Sequence, residues 1–398
     1  MKICFIIAEY NPFHNGHLRQ LDIVKSRIKP DYTVVVMSGN FTQRGEIAIL
    51  DKYQRAKHAV LAGADAVIEL PAIFAVSPAE IFASGAMGLI NSIEGQKTLC
   101  FGAETADKEK FLKIAEILSA ETQEFKKIMK EELKKGVSQA KARHSAVKSL
   151  YGDIFDDLLT SPNNLLGVEY TKAILKLGSG IEIYPVSREG DPFDQKQITS
   201  SLPSALAVRS AIADGRKKEI PNAVPPFVFA DLPKRPPDID EYILYSVLVS
   251  TNEQMRNIAD CSEGLENRLK AYAKTCFSVD ELKEKVKTKR YTYTRISRIL
   301  LSNALKIEKD LVNKCLKYPP YLKVLAVNGE KKEILSYLCE NSEIPLLTRK
   351  NDLSFLSPLA EKCLETDDLA DDIYAHAIKK RLSDRQMTIV NKKIYDFL

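Results

Sequence analysis

The chain lacks the features that would send it to a membrane or to an oxidising compartment. Its 398 residues hold no apolar run approaching the roughly 20 residues that span a bilayer. The amino terminus reads as a strand and carries Glu9, which does not suit a secretory signal. The seven cysteines, Cys4, Cys100, Cys261, Cys276, Cys315, Cys339 and Cys363, are scattered and form no CxxC pair. An odd count without short spacings favours reduced thiols and a cytoplasmic location. Cys4 lies inside an apolar run and reads as core. There are only five histidines, and no Cys/His/Asp cluster completes a metal tetrahedron, so no metal-ligating residue is expected. Net charge is +5, too small over this length to argue for a nucleic-acid partner; the distribution of charge matters more. Internal repeats and low-complexity tracts are also missing. The length exceeds one typical core, which predicts two domains or more.

What the chain does have is concentrated near its start. The apolar run Ile3-Cys4-Phe5-Ile6-Ile7 predicts a buried strand. Pro12 breaks it, and Leu18 to Ile28 predicts a helix. Between them stands His14-Asn15-Gly16-His17. A helix N-terminus offers free N–H groups and a positive dipole end to phosphate, and Gly16 allows close backbone approach. Residues i and i+3 share a helical face, so His14 and His17 could together donate to phosphate oxygens. Fixed donors of this kind stabilise charge developing in nucleotidyl transfer. A pair of helix-capping histidines would show the same spacing.

Strands and helices alternate through the first half. Strands are predicted at Tyr32–Met37, Ala66–Leu70, Lys97–Phe101 and Glu182–Val186, with helices at Lys52–Ala62 and Ala79–Ile90. This alternation predicts a parallel sheet covered on both faces, with ligand beyond the carboxyl ends of the strands. The segments Glu9–His17, Ser38–Arg44, Gly102 and Arg188 all fall at such ends. A helical, lysine-rich insertion spans about 105–160; Lys126, Lys127, Lys130, Lys134, Lys135, Lys141 and Arg143 suit either a solvated face or a phosphate-receiving surface. Six prolines between Lys217 and Asp240 predict a linker. Helices follow at Glu241–Ser250, Leu265–Lys274, Val279–Lys287 and Ile296–Leu305, then a strand at Leu322–Val327 and a helical tail from Leu369 to Arg381. The predicted organisation is residues 1–215 as the α/β nucleotide-binding domain, 216–240 as linker, and 241–398 as a mainly helical domain.

Other residues carry chemistry by type and place. The loop Asn40 to Gly45 suits closure over a polar ligand. Lys52 and Arg55 follow at helical spacing and could reach phosphate or solvent. Glu69 and Glu9 are carboxylates beside apolar runs, costly to bury unpaired, and Glu69 suits an arginine anchor. Arg188 could grip phosphate bidentately. Lys289, Arg290, Tyr291, Arg295 and Arg298 interleave cations with an aromatic, a pattern that pairs with phosphates and stacks on bases or simply solvates a helix entry.

Strand, turn, HxGH and helix resemble the HIGH-type motif of the nucleotidylyltransferase superfamily. The longer runs Glu9–His17 and Met37–Glu46, with Ala62–Pro71, Phe101–Glu104, Ser161–Gly167, 263–268 and Arg290 to Arg298, resemble the bacterial tRNA(Met) cytidine acetate ligase family over most of the chain. The resemblance implies a Rossmann-like α/β fold with a parallel sheet. It also implies an ATP-dependent ligase that forms acetyl-adenylate from acetate, then acetylates N4 of the wobble cytidine of elongator tRNA(Met). By the same resemblance His14 and His17 are the catalytic residues. The ATP contacts are Ile7, Ala8, Glu9, Tyr10, Asn11, Pro12, Phe13, His14, Asn15, Gly16, His17, Leu18, Arg19, Gln20, Gly102, Asn164 (preferred over Asn163), Arg188 and Ser204. The tRNA contacts are Lys289, Arg290, Tyr291, Arg295 and Arg298. The segment Ile198–Ile212 resembles the superfamily's serine-rich second signature, from which it departs at Pro203 and Leu206. Mg²⁺ is expected with ATP, without a dedicated protein site. Two other readings share the motif: a small-molecule adenylyltransferase acting on a cofactor precursor, and a non-catalytic scaffold on the same fold. Oligomeric state stays open.

Overall fold

The computed structural model describes residues 1–192, 194–262, 264–382 and 387–391; Glu263, in one of the family-like runs, lies outside them. Five strands form the parallel part of one sheet: β1 (Lys2–Ala8), β2 (Tyr32–Ser38), β3 (Ala66–Leu70), β4 (Gln96–Ala103) and β5 (Glu182–Ser187). β1 pairs with both β2 and β4, β2 with β3, and β4 with β5, all parallel. The residues of β1 show why the sheet is buried on both faces. Ile3 and Phe5 enter one apolar cluster, while Cys4 and Ile6 enter the other, following the two-residue period of a strand. The helices Ala79–Asn91 and Pro162–Leu177 contribute to the first cluster, Lys52–Leu61 and Ala205–Ala213 to the second.

The strand order β5-β4-β1-β2-β3 reverses direction at β1. The connections from β1 run toward β2 on one side, and β4 closes the other. In an open α/β sheet this switch point leaves a crevice beyond the strand ends, where ligands bind.

The sheet crosses the expected domain boundary. β6 (Leu322–Asn328), from the carboxyl-terminal half, pairs antiparallel with β3. β7 (Leu346–Leu347) and β8 (Thr388–Val390) pair with the outer edge of β6. The first apolar cluster likewise runs on into Leu300, Leu301, Cys315 and Cys363. The proline-rich segment is packed rather than a free linker: Ile220, Ala223, Val224, Val228 and Leu232 are buried in the second cluster. Prolines remove backbone donors and so interrupt ladders, but they leave the apolar side chains between them free to pack. Pro226 opens the short helix Pro226–Asp231, where a missing N–H costs nothing. All the cysteines are free, and Cys339 is the exposed one. Among the described residues, no helix is long and apolar enough to cross a membrane.

Lys52 and Arg55 point inward, to neither phosphate nor solvent. Arg55 is fully buried; its Nε donates to the Leu50 carbonyl and its Nη1 to the Glu9 and Ser38 carbonyls. It thereby ties the ends of β1 and β2 together. Lys52 Nζ lies 2.7 Å from Glu69 Oε1 and 2.8 Å from Asp371 Oδ1, and Glu69 also meets Lys323 at 3.2 Å. Glu69 therefore anchors two lysines and no arginine. Asp371 belongs to the helix Pro358–Ala377, so this buried cluster joins the last long helix to the sheet.

Candidate active site

The turn after β1 fixes both histidines from their own backbone. His14 is the N-cap of the helix Asn15–Ile23, and His17 is its third residue. The Gly16 N–H donates to His14 Nδ1 at 3.1 Å, and the His14 N–H donates to His17 Nδ1 at 3.2 Å. The two readings of the pair therefore merge: both rings cap the helix, and they do it with one nitrogen each. In a neutral imidazole whose Nδ1 accepts, the hydrogen resides on Nε2. Each ring is left with a single Nε2–H donor. The rings stack with centroids 3.7 Å apart, and Tyr10 packs edge-on against His17 at 4.8 Å. A Cβ on Gly16 would sit 2.9 Å from His14 Cε1, so a side chain there would push the imidazole out of register.

Burial holds both rings neutral. It drives the His14 pKa down to about 3, helped by the nearby Arg188 and Arg209. His17 is pushed well below the ordinary histidine value by burial, then by His14 and Arg188. The site thus offers uncharged hydrogen-bond donors, with positive charge supplied by guanidiniums.

The two histidines open onto one cleft at the β1–β4 switch point. It is lined by Ile7, Ala8, Glu9, Tyr10, Asn11 and Gln20 from the first segment, and by Gly102 near the end of β4 and Arg188 after β5. Gly16 and Arg19 line an adjoining cavity shared with His14, Gly102 and Arg188. Arg19 pairs with Glu189 at its rim. The loop after β2 adds Thr42, Gln43, Arg44 and Glu46. Arg209, from the helix Ala205–Ala213, donates to the Asn11 carbonyl at 2.8 Å and faces Glu46 at 3.5 Å. Phe82, Phe101, Leu166 and Tyr170 form an apolar wall. Phe82 and Tyr170 carried no sequence signal of function: each sits at a buried position of an amphipathic helix, where an aromatic reads as core.

Several expected contacts lie outside the cleft. Phe13 is fully buried behind His17, and Pro12 and Leu18 are not among the lining residues. Asn15 turns away and donates to the carbonyls of Ser201 and Asn222. Asn164 is completely buried; its Oδ1 accepts from the Glu104 and Thr105 N–H groups, and its Nδ2 donates to Asp157. Asn163, not Asn164, lines the cleft. Adjacent residues at a helix start point in different directions, so the choice depended on the helix phase. Ser204 is a helix cap: its Oγ accepts from the Ala207 N–H and donates to the Gln195 carbonyl. The next two residues, Ala205 and Leu206, line the cleft.

The basic segment of the second half divides in two. Lys289 and Arg290 are exposed. Arg295 and Arg298 instead clamp Asp260, at 3.2 and 3.3 Å, and Arg295 lies over the Tyr291 ring at 5.5 Å. Ile296, Ile299 and Leu300 bury the opposite face of this helix, Tyr293–Ala304. The helix backs directly onto the cleft loop: a Cβ on Gly45, whose φ is +74°, would lie 2.5 Å from the Arg298 backbone nitrogen. The loop after β2 therefore packs directly on the helix that carries Arg295 and Arg298.

The family model described as HIGH Nucleotidyl Transferase matches residues 1–388. A tRNA(Met) cytidine acetate ligase from Acetivibrio thermocellus is 37% identical over 397 residues, covering 95% of this chain and 96% of that protein. One from Thermoanaerobacter sp. is 38% identical over 388 residues, with the same coverage. The apo crystal structure of Thermotoga maritima TmcAL superposes with a TM-score of 0.91 at 30% identity, covering 98% of this chain and 100% of that one. The crystal structure of TmcAL bound with alpha-thio ATP gives 0.89 at 31% identity, with the same coverage. The chain belongs to the HIGH nucleotidyl transferase family, among the tRNA(Met) cytidine acetate ligases.

Proposed function

We propose that this protein activates acetate with ATP and transfers the acetyl group to N4 of the wobble cytidine of elongator tRNA(Met). The observation that carries the reading is the pair of fixed Nε2–H donors at the switch-point cleft, in a chain so similar to ligases of that name.

In the first step a carboxylate oxygen of acetate attacks the α-phosphorus of ATP, and the bond to the β-phosphate oxygen breaks. The products are acetyl-adenylate and pyrophosphate. His14 and His17 donate to the α-phosphoryl oxygens as charge builds there; the first amides of the helix Asn15–Ile23 are already bonded to Ala223, to the His14 ring and to the His14 carbonyl. Arg188 and Arg209, both drawn toward the cleft, balance the phosphate charge. The ATP contacts we assign are the residues of the cleft and its adjoining cavity, Ile7, Ala8, Glu9, Tyr10, Asn11, His14, Gly16, His17, Arg19, Gln20, Gly102, Asn163 and Arg188. Mg²⁺ enters as part of the MgATP substrate, held by phosphate oxygens and water. In the second step the cytidine amine takes the acetyl group and AMP leaves.

Residues 241–398 are assigned to tRNA, with Lys289 and Arg290 as the exposed contact edge, the half-buried Tyr291 beside them, and Arg295 and Arg298 as its support. Replacing Arg290 by alanine should weaken tRNA binding and lower the slope of log affinity against log salt by about 1; filter binding across a salt series would show an unchanged slope if Arg290 touches no phosphate. The function itself is tested by incubating the purified protein with ATP, acetate and elongator tRNA(Met). Mass spectrometry should find N4-acetylcytidine. Unmodified cytidine, with pyrophosphate exchange dependent on a mononucleotide instead of acetate, would replace this reading by the cofactor-precursor one.

A further inference from the structure

Attack by the cytidine amine requires something to take its proton, and the cleft holds few candidates. His14 and His17 are excluded by their own hydrogen bonds: both Nδ1 atoms already accept from the backbone, so the exposed nitrogen of each ring is a donor. Glu46 is turned toward Arg209 at 3.5 Å and is half exposed. Arg44, Arg188 and Arg209 are cations. Glu9 remains. Its Oε1 accepts from the Gln43 N–H at 2.7 Å, and the side chain lines the cleft. A carboxylate is also the group that reads cytosine by accepting from N4. The apolar wall beside it, Phe82, Phe101 and Tyr170, suits an unstacked base, which proteins hold against aromatic faces.

We infer that Glu9 accepts a hydrogen bond from the cytidine N4 amine through Oε2 and takes its proton during acetyl transfer. This deepens the proposed function and rests on it. The N4 lone pair forms a bond to the acetyl carbonyl carbon. The bond from that carbon to the AMP phosphate oxygen breaks, its electron pair leaving on AMP. The N4 proton passes to Glu9 and then to water. Burial pushes the Glu9 carboxyl above its ordinary range, the Gln43 amide opposing; a raised pKa makes a carboxylate a better proton acceptor. Arg209, Glu46 and Arg55 are the charges that face it, and Tyr170 is the neighbouring phenol.

The test separates the two half-reactions in the full-length protein. Acetate-dependent ATP–pyrophosphate exchange, without tRNA, reports adenylation. Single-turnover acetylation of elongator tRNA(Met), followed by mass spectrometry, reports transfer. Glu9→Gln keeps an oxygen for the Gln43 N–H. We expect its ratio of transfer to exchange to fall about 10²- to 10⁴-fold, with Glu9→Asp intermediate. Wild-type transfer should rise with pH to a plateau, and the Gln variant should stay low and flat. A Gln variant whose transfer-to-exchange ratio matches wild type, whether both rates are kept or both are lost, overturns the inference. Absence of acetate-dependent exchange in the wild type would instead bring down the function beneath it.

Discussion

Alanine at either His14 or His17 should lower acetate-dependent ATP–pyrophosphate exchange by about 10²- to 10³-fold, the usual cost of losing one fixed donor to a developing oxyanion. The double variant should lose less than the product of the two. The rings stack at 3.7 Å, and the His17 ring is held by the His14 backbone, so the sites couple. The pH dependence gives a second handle. With the His14 pKa near 3 and that of His17 also depressed, both rings are already neutral at pH 6 to 8. Exchange should therefore not fall as pH rises through 6.5, as it would if a charged imidazolium were required. The stability consequence has a definite sign. Unfolded histidines bind protons near 6.5 while these folded ones do not, so their contribution is complete above 6.5 and is lost as pH falls toward 3. Exchange that survives alanine at both positions would remove the paired imidazoles from the chemistry.

The second large effect concerns stability. Lys52→Met should cost about 3–5 kcal/mol, because it strands the buried Asp371 carboxylate without its ion-pair partner and leaves Glu69 with Lys323 alone. Lys52 and Glu69 are both essentially inaccessible to solvent, as is Asp371. Burial opposes the charge on Lys52, yet Asp371 and Glu69 hold its pKa well above the ordinary lysine value. Nearby Asp367, raised to about 7 by burial and by Glu69, accepts from the Tyr321 hydroxyl at 2.6 Å. Denaturant titration of Lys52→Met should give a clearly lower midpoint. Neutralising Glu69 and Asp371 in the same chain (Lys52→Met, Glu69→Gln, Asp371→Asn) should recover part of it. An unchanged midpoint in the single variant would mean that the cluster contributes little to the fold. The same variant should loosen the cleft loop, since Asp371 also accepts from Asn40 Nδ2 at 2.8 Å.

Much of the first half was legible because its signals are local. Apolar runs of five to seven residues gave the strands within one or two positions, as at Ala66–Leu70, and the HxGH motif sat where its strand and helix required. The second half was harder to read. Leu322–Val327 was recognisable as a strand, but nothing nearby in sequence shows that it pairs with β3. The last long helix begins at Pro358, eleven residues before the expected Leu369, because the helix opens on a capped turn, Ser357-Pro358, instead of an apolar stripe.

Sequence alone determined the local geometry at the end of β1. A histidine pair spaced by three, a glycine between them and a helix behind them specify two backbone-capped imidazoles, because every group involved lies within four residues. Tertiary structure decided what each remaining polar side chain does. Lys52, Arg55, Asn164, Ser204, Arg295 and Arg298 all look like ligand contacts by residue type. Each has a hydrogen-bond or ion-pair partner within the chain, several of them distant in sequence, because a desolvated charge or amide needs a partner.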